Sequence, residues 1–296
     1  MPFPLPKSST SHRRTGLAAI LAFLAVLLSS CATPPAMDDS TPVAAPGDYP
    51  TSHIHAMAVD GTTGQILLAT HEGLYDVSTK PATKIGPDID LMGFTIGAGG
   101  TMYASGHPGP GVDLPDPVGL IESTDGGRTW TALSRTGQSD FHALAATHEA
   151  IIGFDGQLLV NEGGSSWTPA VDQIPAFHLS ATPDGHVVLA TTEDGLNRSV
   201  DHGKTWTRVP GAPLLMLSAV SGANAAGIAP DGTVYSSADA GFTWRKQGST
   251  TDEVDAISLT TSGGKTQLWI ASTTGVRVSS DMGATFTAFE PGTDRQ

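Results

Sequence analysis

Ten histidines stand in this 296-residue chain, and six of them recur at related places. His53, His55, His142 and His178 open three short apolar segments of one pattern, HIHAMAV, DFHALAA and AFHLSAT. His71, beside Glu72 in ATHEGLY, and His107, in SGHPGPGVDLPDPVG, each sit in the turn that follows the next apolar run. Neutral imidazole is a ligand for zinc, copper, iron and nickel. His53, His55, His71, His107 and His142 are therefore the predicted ligands of one transition-metal ion. Glu72 or Asp140 would orient a ring from behind. Met92 and Met216 align with His55 and His142, and their thioethers tilt the choice toward copper over zinc. The same group read without a metal is a polar binding surface. Read as an acid/base site, its catalytic candidates are Asp140 and Glu72.

This grouping depends on a repeat that brings distant segments to one place. STDGGRTW (123–130), SVDHGKTW (199–206), SADAGFTW (237–244) and SSDMGATF (279–286) share one pattern, and VNEGGSSW (160–167) is a worn copy with Glu162 at the aspartate position. Their closing aromatics, Trp130, Trp167, Trp206, Trp244 and Phe286, recur about every 40 residues, a spacing that marks repeat architectures. The aspartates Asp125, Asp201, Asp239 and Asp281 can accept backbone N–H groups within a tight turn. The glycine two places on can take the positive φ that such a turn needs. The aromatic then opens a strand and packs between sheets. Short alternating strands bounded by Asp-Gly and Gly-Gly turns surround each copy, and no segment after residue 31 has a helical period.

Six segments open the repeats, from His53, Asp90, Asp140, Ala176, Leu214 and Val254. The chain is predicted to be an all-β, six-bladed β-propeller over 52–292, with a short tail at 293–296. Residues two apart on a strand share a side, so first and third positions of the six segments form two rings at one channel mouth. The turns between second and third strands join that face and carry His71, Glu72, His107, Asp155, Glu193 and Asp194. The S-x-D-x-G turns lie at the other end and are read as structural.

The S-x-D-x-G-x-T-W pattern resembles the Asp-box, or BNR, repeat of sialidase-like propellers, a class that includes chains loosely called BNR-repeat glycosylhydrolases. The resemblance implies six blades. It also raises glycoside hydrolysis by two carboxylates, with Asp90, Asp140, Glu72, Asp155 and Glu193 on the relevant face. A third role, a scaffold that docks a protein, is implied by similar repeats in photosystem assembly factors. A sialidase site needs three arginines, a tyrosine and an acid; Arg128, Arg135, Arg198, Arg208, Arg245 and Arg277 all fall outside the predicted mouth loops. Fold does not carry function, and the sequence leaves enzyme or binding protein open.

The N-terminus reads as an address. Lys7, Arg13 and Arg14 precede an apolar run at 16–28, too short to span a membrane comfortably. It ends at Leu28-Ser29-Ser30-Cys31, which resembles a bacterial lipobox. Residues 1–30 would be a lipoprotein signal peptide, Cys31 the lipidated residue, and 31–51, rich in Pro, Ala, Asp and Thr, a flexible tether. The product is expected on the outer face of the cytoplasmic membrane, or in the periplasm where an outer membrane exists, facing a protein or glycan ligand. Cys31 is the only cysteine, so no disulfide forms within the chain. Losing residues 1–30 removes three bases and no acid, taking the net charge from −14 to −17. That sign excludes a nucleic-acid partner, which needs a basic face.

Overall fold

The computed structural model describes residues 49–292, position 183 apart. The signal-like segment 1–30, Cys31, most of the tether and the tail 293–296 lie outside the described residues. Twenty-four strands form six four-stranded antiparallel sheets, each from one continuous stretch of chain. These blades cover 54–85, 89–134, 143–169, 178–208, 217–249 and 256–288, numbered 1 to 6 here. The sole helix among the described residues is the 3-10 turn Ala98–Gly100. The chain is a six-bladed β-propeller.

The innermost strands are Ile54–Val59, Ile89–Ile96, Ala143–Ala146, His178–Ala181, Leu217–Ser221 and Ala256–Ser262. Each lies against the next, and the last lies against the first, closing the ring. Among the described residues no strand is exchanged between the first and last blades, and they meet by packing. Ile54, Met57, Ile66 and Leu68 of blade 1 form one buried cluster with Ala256, Trp269, Ala271 and Val276 of blade 6. Comparable clusters fill every other gap: Leu67, Phe94 and Ile121 between blades 1 and 2, Phe141 and Leu159 between 2 and 3, Ile152 and Trp206 between 3 and 4. Both faces of each sheet are thus buried, which is why strands such as Ile66–Thr70 and Val188–Thr192 are buried throughout instead of alternating.

The repeated turns all lie at one end and share one hydrogen-bond set. Around Asp201, Thr205 N donates to Oδ1 at 2.9 Å, Thr205 Oγ1 to Oδ2 at 2.6 Å, and Ser199 Oγ to Oδ1 at 2.8 Å; Gly203 N donates to Ser199 Oγ at 2.9 Å. The same four bonds recur at Asp125, Asp239 and Asp281. Gly203 has φ +83°, and a Cβ there would come within 2.6 Å of Ile152 on blade 3. The turn therefore presses its own blade onto the preceding one. In the worn copy Glu162 does not replace the aspartate; it pairs with Lys204 at 2.6 Å. Asn161 holds that turn instead, accepting from Gly163 N and donating to the Gly164 and Ser166 carbonyls.

Candidate functional site

Antiparallel pairing puts the starts of the inner strands and the second-to-third strand turns at the end opposite the S-x-D-x-G turns. A cavity of about 750 Å³ opens there, lined among others by His53, His55, Asp140, His142, His178 and Asp255. A second space of about 570 Å³ continues along the inner strands.

Two irregularities shape the mouth. The pairing of Ile54–Val59 slips between Ile54 and Ala56, which leaves His55 in a bulge, and that of Ile89–Ile96 slips between Leu91 and Gly93, at Met92. Bulges re-aim side chains. Opposite the second one, Gly106 has φ +141°, and a Cβ there would fall 1.9 Å from the Asp90 carbonyl oxygen. Only glycine lets this strand lie so close, and His107 follows it directly.

The histidines separate into two neighbouring groups. In the first, His55 Nε2 lies 3.4 Å from His71 Nδ1 and 3.5 Å from Asp90 Oδ1, and His71 Nδ1 lies 2.8 Å from Asp90 Oδ2. His53 stacks on His55, with ring centroids 4.8 Å apart, and meets His71 edge-on. Ligand atoms of His55, His71 and Asp90 all fall within 4.8 Å of one another, a grouping able to hold a metal ion. Burial, then the neighbouring His71 and His53 rings, push the His55 imidazole down to about 4. It is neutral near pH 7 and its lone pair is free to ligate.

The second group is centred on Asp140. Its Oδ2 lies 2.7 Å from His142 Nε2 and 3.2 Å from His107 Nε2. His107 Nδ1 lies 2.6 Å from Asp116 Oδ1. The Asp116 contact, and after it Asp140, raise His107 above the ordinary imidazole value; Asp140 raises His142 likewise. Burial pushes the Asp140 carboxyl up, but the two histidines together outweigh it and hold the group low. Asp90 Oδ1 and Asp140 Oδ1 are both buried without a hydrogen-bond partner.

The five expected ligands thus gather at one end, yet not round one point: His55 and His71 meet at Asp90, whereas His107 and His142 meet at Asp140. Glu72 joins neither group. It sits at the tip of a hairpin, exposed, and accepts from Tyr75 Oη at 3.2 Å. Met216 packs into the apolar cluster between blades 5 and 6, while Leu217 and Asp255 line the mouth in those blades. His178 is itself the first paired residue of its strand, whereas His142 precedes the first pair. It lines the same cavity but makes no hydrogen bond to either group, its Nδ1 has no partner, and burial lowers it to about 4. Arg135 differs from expectation too: its positive φ turns the chain after its strand, and the guanidinium reaches Ser139 and Asp155 at the mouth. Asp90 and Asp116 are the site residues that the histidine pattern alone does not single out; the one signal for Asp90 was its place at the head of an inner strand.

Fold and site together define a six-bladed propeller with a histidine–aspartate mouth. No family model matches the chain, and no curated relative matches it. Among solved structures, it is similar to an ancestral enzyme of glycoside hydrolase family 74, with a TM-score of 0.53 and 15% identity over 79% of this chain and 37% of that one. It is also similar to the extracellular domain of a protein described as a hybrid two-component system of B. thetaiotaomicron, with a TM-score of 0.53 and 11% identity over 80% of this chain and 33% of that one. The chain therefore spans about a third of either, and at these identities the likeness is one of fold alone.

Proposed function

We propose that this chain is an exported, lipid-anchored Asp-box propeller that binds a transition-metal ion at its histidine mouth. The observation that carries this reading is the convergence of His55, His71 and Asp90. Ligands about 2.0–2.1 Å from one tetrahedral ion lie about 3.3–3.4 Å apart. Two of the three separations here are 3.4 and 3.5 Å. Two imidazoles and a carboxylate make a set that zinc accepts with a fourth position open. With Met216 packed against the apolar cluster between blades 5 and 6, Met92 is the one of the two thioethers left at the mouth to favour copper. The net charge of the chain after signal removal, −17 by count, attracts cations to the surface generally.

The test is zinc titration with thermal unfolding as readout. Zinc at 100 times its Kd should stabilise the folded state by about 2.7 kcal/mol, and His71→Ala or Asp90→Asn should abolish that gain. An unchanged melting temperature in the unaltered chain sinks the reading. The anchor is tested by Cys31→Ser, which should release the protein from membranes or block its processing; continued membrane association of the variant would place the anchor elsewhere.

One observation favours glycoside hydrolysis as a second reading. Burial raises the Asp255 carboxyl while Asp140 is held low, and both line the mouth cavity. Carboxylates driven apart in this way suit an acid and its partner. Activity on a polysaccharide that Asp255→Asn abolishes would establish it, and activity unaffected by that change would end it.

A further inference from the structure

We propose that the mouth cavity binds an organic cation, a primary ammonium carried on a flat apolar body, with the ammonium on Asp255 and the body against Phe177. This goes beyond the metal reading and does not depend on it, since neither residue belongs to the His55–His71–Asp90 group.

Three observations converge. The first is charge. Among the described residues the wall of the cavity holds three carboxylates, Asp140, Asp155 and Asp255, and no lysine or arginine. Two of the three already have partners. Asp140 takes His107 and His142, and Asp155 takes the Arg135 guanidinium at 3.4 Å and the Ser139 hydroxyl. Asp255 forms no ion pair of this kind. Burial raises its carboxyl, and Glu253 adds to the rise, while His53 and the Thr273 amide relieve it only in part. A carboxylate withdrawn from water without a counter-ion is costly, and an entering cation supplies the missing charge.

The second observation is apolar. Phe177 stands at the rim with 62% of its surface exposed, and Phe154 and Leu217 line the same cavity. An aromatic face attracts a cation and shelters a flat apolar group. The cavity, about 750 Å³, has the size of a small-molecule site. The third is His178, next to Phe177 in the chain and in the same wall. Its ring is neutral near pH 7, so it does not repel a cation, and its Nδ1 is buried without a partner. Carboxylate, aromatic rim and neutral imidazole together suit an amine better than an anion, for which this wall has no lysine or arginine.

The experiment uses the full chain in detergent with a chelator present. It titrates 2-phenylethylamine against its uncharged counterpart 2-phenylethanol by calorimetry. The amine should bind, and the alcohol about 10-fold or more weakly, the share of a charge-assisted hydrogen bond. Asp255→Asn should remove that preference, while Asp255→Glu, which keeps the charge, should retain it. Phe177→Ala, at an exposed position, should weaken the amine by about 2–30-fold. Circular dichroism checks that each variant is folded. His71→Ala should bind the amine as the unaltered chain does, even where it no longer responds to zinc, so the two readings fail separately. Absence of amine binding, equal binding of amine and alcohol, or an undiminished preference in Asp255→Asn overturns the proposal. So does amine binding that only His71→Ala removes, which would place the ligand on the metal group. Binding of cellobiose by a chain silent to the amine also overturns it and gives the cavity to a glycan.

Discussion

The two ends of this propeller are built by opposite rules. At one end, four turns repeat the same bonds around Asp125, Asp201, Asp239 and Asp281, and a fifth reaches the same closure through Asn161. At the other end no single set of bonds repeats from blade to blade. Blade 1 brings His53, His55 and His71, blade 2 brings Asp90, His107 and Asp116, and the segment entering blade 3 brings Asp140 and His142, while blades 5 and 6 bring Leu217 and Asp255. The repeated end presses each blade onto its neighbour and so serves stability. The unrepeated end gathers imidazoles and carboxylates, half-desolvated, with two buried oxygens lacking donors. Groups kept in that condition reflect a demand other than folding.

The contrast can be broken by measurement. The largest effect belongs to the repeated end: Trp206→Ala, which empties the packing between blades 3 and 4, should cost about 3–5 kcal/mol in denaturant unfolding. Asp201→Ala should cost about 1–3 kcal/mol, because it strands Thr205 N and the Thr205 and Ser199 hydroxyls. Zinc binding should survive both changes once the variants are folded; loss of binding in folded Asp201→Ala would show the ends to be coupled. The worn turn sharpens the comparison further. Asn161→Ala should destabilise by about 1–2 kcal/mol, while Glu162→Gln should leave the unfolding midpoint where it is, since Glu162 meets only the exposed Lys204. The reverse order would restore Glu162 to the aspartate's role.

Acid gives a gentler probe of the same end. Hydrogen bonds from Thr129, Thr243 and Thr285 hold Asp125, Asp239 and Asp281 near 2. In the unfolded chain an aspartate titrates near 3.9. The stabilisation is therefore complete above about pH 4 and is lost as the pH falls toward 2. Melting temperatures followed over that window should decline, and Asp239→Asn should make the decline shallower. A small effect is also expected at the mouth. His71→Ala, in a half-exposed ring, should shift the metal-free unfolding free energy by less than about 1 kcal/mol while removing the response to zinc. A large metal-free loss would make the mouth a structural element like the turns.

By itself the sequence determined what repeats. Spacing near 40 residues, one aspartate and one aromatic per copy, and six apolar segments specify six blades, because each blade satisfies its own backbone locally and needs only a like neighbour. The same alternation assigned the histidines to one end. It did not determine which of them meet. That depended on bulges at His55 and Met92, on Gly106 admitting a close strand, and on a hairpin that turns Glu72 toward Tyr75. It depended equally on a one-residue offset that leaves His178 without a bond to either group and on Met216 packing against the apolar cluster between blades 5 and 6. A strand pattern resolves only which side a residue takes, since its period is two. Choosing between Asp90 and Glu72 as the partner of His71 takes about an ångström of precision between blades, and only the packed tertiary structure supplies it.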